Sequence, residues 1–121
     1  FDFVPVRDLS VLKRCRIDRR VFSKAFASGS AYVYTRETFS NENDFHARMF
    51  APLDMIPEDP ATGSAAAALA AFLPSTEGPL TATIHQGDDM GRPSRIGIST
   101  TATSVTISGA AVPVMQGTLA L

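Results

Sequence analysis

Apolar and polar side chains alternate at the start of the chain. FDFVPV, residues 1–6, has the two-residue period of a strand, and Pro5 suits a sheet edge because proline cannot donate to a ladder. DLSVLKRC opens on Asp8, a helix-capping residue type, and predicts one or two helical turns. In IDRRVFSKAFASG, Val21, Phe22, Ala25 and Phe26 recur at helical spacing, with Asp18 as the cap and Gly29 as the stop. The β-branched and aromatic content of SAYVYTRET predicts a strand. DFHARMFAP, Asp44 to Pro52, predicts another, with Phe45, Ala47 and Met49 on one face and His46, Arg48 and Phe50 on the other.

The period changes at EDPATGSAAAALAAFL, Glu58 to Leu73, where two acids, a proline and a small polar turn precede an alanine-rich helix. After a break at Pro74 to Pro79, LTATIHQG reads as a strand and DDMGRPS as a turn. RIGIST, TSVTISG and AAVPVMQGTLAL predict three further strands. The resulting order is α+β, with too little strand–helix alternation for a doubly wound sheet, and no internal repeat occurs.

The helix mouth carries the candidate chemistry. Pro60 biases Asp59 away from helical angles, and Thr62, Gly63 and Ser64 can bend the chain so that backbone N–H groups point outward. Those groups, with a helix dipole worth about half an elementary charge, make a site for a carboxylate or phosphate. Ser64 can cap the helix and Thr62 can donate a hydroxyl bond. The helix is built from Ala65, Ala66, Ala67, Ala68, Ala70 and Ala71, with only Leu69, Phe72 and Leu73 large, so a curved sheet can wrap closely around it. Two readings stay open from spacing alone. Glu58 and Asp59 can simply serve the dipole, or Asp59 can move protons beside a bound anion, which requires partial desolvation. In HQGDDMGRPS, Gly87 and Gly91 allow tight turns, and Gln86, Arg92 and Ser94 are presented together. Arg92 can clamp a carboxylate through two parallel bonds or form a structural salt bridge.

Bulk properties narrow the class. The 121 residues make one domain's worth of chain, with 45% hydrophobic residues and a net charge of −1. That balance argues against bulk attraction to nucleic acid, although nine of the eleven Lys and Arg residues precede Phe50. The basic run KRCRIDRR (Lys13, Arg14, Arg16, Arg19, Arg20) reads more simply as a solvated face than as a phosphate patch. The longest apolar run, Ala65 to Leu73, is too short to span a bilayer, so no membrane association is expected. No signal or transit segment is visible, and an opening Phe1 suggests a mature or truncated product. The single cysteine, Cys15, excludes an intramolecular disulfide and leaves a cytoplasmic location as the default. His46 and His85 have no carboxylate at recognisable metal-ligand spacing, so no metal site is expected.

HARMFAP, EDPATGSAA, QGDDMGRPS and GAAVPVMQGTL, in that order and spacing, resemble the C-terminal half of the phenazine-biosynthesis PhzF-like family, within the diaminopimelate-epimerase-like superfamily. The resemblance covers nearly the whole chain but about half of a typical member. It implies two similar α+β lobes, each a curved mixed or antiparallel sheet around a central small-residue helix, with the helix mouths facing across a cleft. Residues 1–121 are then a single C-terminal lobe, with the N-terminal lobe absent from this chain. The implied activity is a cofactor-independent isomerisation that moves a proton on a small carboxylate metabolite. Its proposed base, a glutamate near a glycine–histidine pair, belongs to the N-terminal lobe, and neither segment occurs here.

Residue by residue, the resemblance gives Asp59 the catalytic role of the family's cleft aspartate. Gly63 and Ser64 match the turn offered to substrate, Gln86 and Arg92 match cleft-facing positions, and Thr62 joins them by its hydroxyl. No thiol stands at the mouth, which argues against a two-cysteine racemase. Where members carry a glycine ahead of the EDPATGS motif, this chain has Met55, which bears on the loop's geometry. The partners implied are a small-molecule carboxylate and either an N-terminal lobe polypeptide or a homodimer partner. The alternative is a non-catalytic anion-binding or oligomerising remnant; a nucleic-acid module using KRCRIDRR comes last.

Overall fold

The computed structural model describes residues 1–39, 45–73 and 79–120. Asp44, residues 74–78 of the expected break, and Leu121 lie outside them. The elements are β1 (Asp2–Pro5), α1 (Leu9–Arg14), α2 (Arg19–Ala25), β2 (Ala31–Thr35), β3 (Phe45–Ala51), β4 (Ile56–Asp59), α3 (Gly63–Phe72), β5 (Thr81–Gln86), β6 (Ser94–Thr100) and β7 (Val105–Gly109). This is an α+β fold on one mixed seven-stranded sheet, ordered β1-β2-β3-β5-β6-β7, with β4 paired to β3 off that path. β1 runs parallel to β2 and β3 parallel to β5, while the other pairs are antiparallel. Pro5 lies on an edge strand, where a missing N–H costs least.

β2 and β3 are buried along their whole length because both sheet faces are covered. Alternation sends Tyr32, Tyr34, Phe45, Ala47 and Met49 into a core with Ala65, Ala66, Leu69 and Ala70 of α3. It sends Ala31, Val33 and Phe50 to the other face, against Leu12 of α1 and Phe22 of α2. The short helices start where their acids predict: the carboxylate of Asp8 accepts from the Val11 N–H at 2.8 Å, and that of Asp18 from the Arg20 N–H at 3.0 Å. Within KRCRIDRR, Arg16 donates to the Lys13 and Cys15 carbonyls and Arg20 pairs with Asp18, so both guanidinium groups bond locally.

The middle of the α1-facing side holds a cation. The buried Arg48 gives Glu58 of β4 two parallel bonds of 2.8 Å and stands 3.7 Å from the Asp89 carboxylate. It also donates to the carbonyls of Leu12 and Cys15 at the end of α1, at 3.1 and 3.2 Å, and its guanidinium lies 4.8 Å from the Phe50 ring centre. Its pKa is held above the usual arginine value, foremost by the bonds to Glu58.

Three expectations need correction. β4 forms where a loop was expected, because Met49 and Ala51 supply an antiparallel edge for Asp59 and Ile56. AAVPVMQGTLAL does not continue as a strand: residues 110–120 form no ladder with the described residues, and Val112, Val114, Met115 and Leu119 are between 83% and 92% exposed. Pro113 removes a ladder donor there, and β-rich composition makes no strand without a partner edge. Third, α3 buries one stripe (Ala65, Ala66, Leu69, Ala70), while Ser64, Ala71 and Phe72 are exposed.

Removing one partner of the buried ion pair leaves the other uncompensated. Arg48→Ala is expected to lose about 3 kcal/mol of unfolding free energy, read from the urea midpoint; a loss under about 1 kcal/mol would mean that water replaces the guanidinium. Met55, where the family pattern has glycine, sits in the left-handed region at φ 60°. Glycine relieves that conformation but is freer when unfolded, so Met55→Gly should gain about 0.5–1 kcal/mol in the same assay. The Val11 N–H chiefly depresses the Asp8 carboxyl and the Arg20 side chain chiefly depresses that of Asp18, both below 3.8. Their stabilisation is therefore complete above the unfolded value and is lost as pH falls through the folded one. The double variant Asp8→Asn, Asp18→Asn keeps capping side chains, and its stability should fall less steeply than the parent's below about pH 4.

Candidate active site

Glu58 and Asp59 are neighbours on a strand, so their side chains leave β4 on opposite faces. Glu58 is consumed by Arg48 on the α1 side. Asp59 turns to the α3 side, where its Oδ2 accepts the Thr62 hydroxyl at 2.5 Å, a length typical of a hydroxyl bonded to a carboxylate. Tyr32 lies close enough to feel that carboxylate: burial raises its phenol pKa most, and the Asp59 charge adds to it.

The cap of α3 is Thr62, two residues earlier than the serine expected there, and its hydroxyl does not bond to the helix. It donates to Asp59 and accepts from Gln86 Nε2 at 2.9 Å. Ser64 is instead an exposed residue of the first turn. The first bond onto the cap carbonyl comes from Ala66, so the N–H groups of Gly63, Ser64 and Ala65 have no acceptor four residues back.

Gln86, at the end of β5, is 0% exposed and uses its whole amide. Nε2 donates to the Asp59 carbonyl at 2.7 Å as well as to Thr62; Oε1 accepts from the Tyr32 hydroxyl at 3.0 Å and the Thr62 N–H at 3.4 Å. Ser94 completes the frame by donating to the Pro60 carbonyl at 2.8 Å. Gly87 takes φ +87°, and a Cβ there would overlap the Arg92 carbonyl and stand 2.9 Å from that of Pro60. Only glycine fits that close approach.

In front of the helix start lies a cavity of about 510 Å³, bordered by Ala61, Gly63, Ser94, Arg95, Ser108 and Gly109 among others. Of the expected site residues Gly63 borders this cavity, whereas Asp59, Thr62 and Gln86 are joined by hydrogen bonds beside it without lining it, and Ser64 is exposed on the first turn. Arg92 sits exposed on the β5–β6 turn, with its backbone N–H bonded to the Gly87 carbonyl at 2.9 Å, and it does not line this cavity. Arg95 and Ser108 do, and sequence reasoning missed both. Arg95 could have been found beside Ser94 in GRPSR, whereas Ser108 enters only through the β6–β7 pairing.

The second face brings together residues that the sequence keeps apart. His46 of β3 and His85 of β5 are register partners, and the turn after β5 adds Asp88. The spacing of His85 and Asp88 in HQGD was the available signal; the contribution of His46 needs the sheet.

Comparison with known proteins gives a consistent assignment. The profile of the PhzC-PhzF family, described as phenazine biosynthesis-like protein, matches residues 2–117. An uncharacterized isomerase of Mesorhizobium japonicum is 42% identical over 131 aligned positions, covering 96% of this chain and 43% of that protein. An uncharacterized isomerase of Deinococcus radiodurans is 40% identical, over 78% of this chain and 32% of its own. The chain thus spans less than half the length of these relatives. A crystal structure of the Bacillus anthracis phenazine biosynthesis protein of the PhzF family superposes with a TM-score of 0.73 at 24% identity, over 87% of this chain and 40% of that one, which supports the fold. With the profile spanning nearly all of its length and the fold in agreement, the chain belongs to the phenazine biosynthesis-like PhzC-PhzF family.

Proposed function

We propose that this chain supplies the C-terminal half of the active site of a cofactor-independent isomerase that moves a proton on a small carboxylate. The observation that carries the reading is the placement of the Asp59 carboxylate beside the start of α3, held there through Thr62 by the buried Gln86 amide. The substrate carboxylate accepts from the N–H groups of the first turn, Gly63 and Ser64, and from the Ser64 hydroxyl. Asp59 then orients the reacting carbon or carries its proton. Gln86 acts as a positioning residue, since its amide is spent inside the frame, and Arg92 steers or clamps the substrate from the rim.

The reading requires a second lobe that brings the base and closes the site against water. Two facts favour one: the chain spans 43% of its Mesorhizobium relative, and Val112, Val114, Met115 and Leu119 stand exposed beyond β7. The same exposed residues favour a second reading, an oligomerising module without catalysis.

Native mass spectrometry of the purified material separates the two. A companion polypeptide bearing a glutamate and a glycine–histidine pair is expected; a plain homodimer would favour the oligomerising module. With the companion present, solvent deuterium exchange into small amino- and hydroxy-carboxylates should be slowed by about 10²- to 10⁴-fold in Asp59→Asn. The amide of that variant still accepts from Thr62, so the thermal midpoint should stay near the parent's. Unchanged exchange would remove Asp59 from the chemistry.

A further inference from the structure

Behind the helix mouth, on the face of the sheet that carries Arg48, three side chains converge without belonging to the site above. His46 and His85 stand side by side on the parallel strands β3 and β5, with ring centres 5.2 Å apart. Asp88, in the short helical turn Asp88–Met90, reaches between them. Its Oδ2 lies 3.4 Å from His46 Nε2 and 2.8 Å from His85 Nε2, and one ligand atom from each residue falls within 4.8 Å of the other two.

Burial makes this arrangement costly as it stands. His46 is 0% exposed, and among the described residues neither of its ring nitrogens has a hydrogen-bond partner. Asp88 Oδ2, close to both histidines, is also buried and has no hydrogen bond among the described residues. An unsatisfied buried polar group costs about 1–3 kcal/mol, and here two such groups face each other. The Phe39 ring stands edge-on to His46 at 4.7 Å and to His85 at 6.1 Å, which screens the cluster from water on that side.

We propose that His46, His85 and Asp88 form a binding site for one divalent transition-metal ion, with zinc, cobalt and nickel as the class. Two imidazoles and one carboxylate suit such ions rather than magnesium or calcium, which take oxygen donors. Three protein ligands leave at least one coordination position for water or an anion. Donor atoms around an ion with bonds of about 2.0–2.2 Å stand roughly 3.3–3.6 Å apart in tetrahedral geometry. The His46–Asp88 distance of 3.4 Å meets this, the 2.8 Å between His85 and Asp88 must lengthen, and all three ligand atoms already lie within 4.8 Å of one another. Asp89, 3.7 Å from Arg48, adds negative charge nearby.

The ion ties β3 to β5 and to the turn that follows Gly87. That turn also seats the Pro60 carbonyl against Gly87, so the ion stiffens one wall of the helix mouth from behind. This role is independent of the proposed chemistry there.

The test is calorimetric titration of chelator-stripped 121-residue chain with zinc chloride, repeated with cobalt chloride to read the ligand-field absorption. One ion per chain and a raised thermal midpoint are expected, with both retained in Cys15→Ser, which removes the sole thiol. His46→Ala empties a buried position and can unfold the chain, so the decision rests on His85→Ala and Asp88→Asn, checked for fold by circular dichroism. Each should weaken binding by at least about 100-fold and abolish the thermal shift. Absence of saturable binding in the parent chain overturns the proposal, as does undiminished binding in both variants.

Discussion

The Arg48–Glu58 pair is the constraint on which the arrangement of the molecule rests. A guanidinium under the centre of a sheet is tolerable only when its donors are satisfied, and here the two bonds to Glu58 and those to the α1 carbonyls satisfy them. The bonds cross from β3 to the end of α1 and to β4, with Asp89 close by in the β5–β6 turn. Fixing Glu58 on one face of β4 compels Asp59 to the other, since successive strand residues point oppositely. The placement of the mouth acid thus follows from an ion pair on the far side of the sheet.

A second layer of order is neutral. Gln86 binds two donors and two acceptors from two segments that are remote from it in sequence: Tyr32 in β2, and the stretch from Asp59 to Thr62 between β4 and α3. Because the amide is fully buried, each bond is expensive to leave unmade, and this sets the direction of the chain from Gln86 to Thr62 to Asp59. Rigid placement of this kind is what a proton-handling carboxylate needs, because misplacement by an ångström is costly. The turn glycine has a related part: Gly87 lets the backbone of Arg92 pass where a side chain would collide.

The two faces of the sheet carry different chemistry for one geometric reason. β3 is buried on both sides, so its alternating residues must find apolar partners on one face and polar partners on the other. Phe45, Ala47 and Met49 meet the alanine helix; His46 and Arg48 meet the carboxylates of a turn and a strand. The relatives' greater length and the exposed residues after β7 concern a different surface, and leave this internal division unaffected.

Much of this was legible in the residues. Sequence pattern placed β1, α1, α2, β2, β3, α3, β5, β6 and β7, the acids Asp8 and Asp18 marked helix starts, and the faces of β3 followed from strict alternation. The EDPATGS and QGDDMGRPS motifs marked the mouth and the turn beside it. Other features were not legible because they depend on pairing between distant segments. β4 exists because β3 offers an edge, and the tail after Gly109 has strand composition without one. Gln86 was expected to face the cleft, and only folding shows its amide spent on Tyr32, Asp59 and Thr62, while His46 met His85 and Asp88 only through the β3–β5 register. What the sequence determined by itself was local: periods, caps, turns and the identity of the chemical groups. Tertiary structure alone decided which acid faces an arginine and which faces the helix mouth, because hydrogen-bond satisfaction in a buried sheet is settled by neighbours in space.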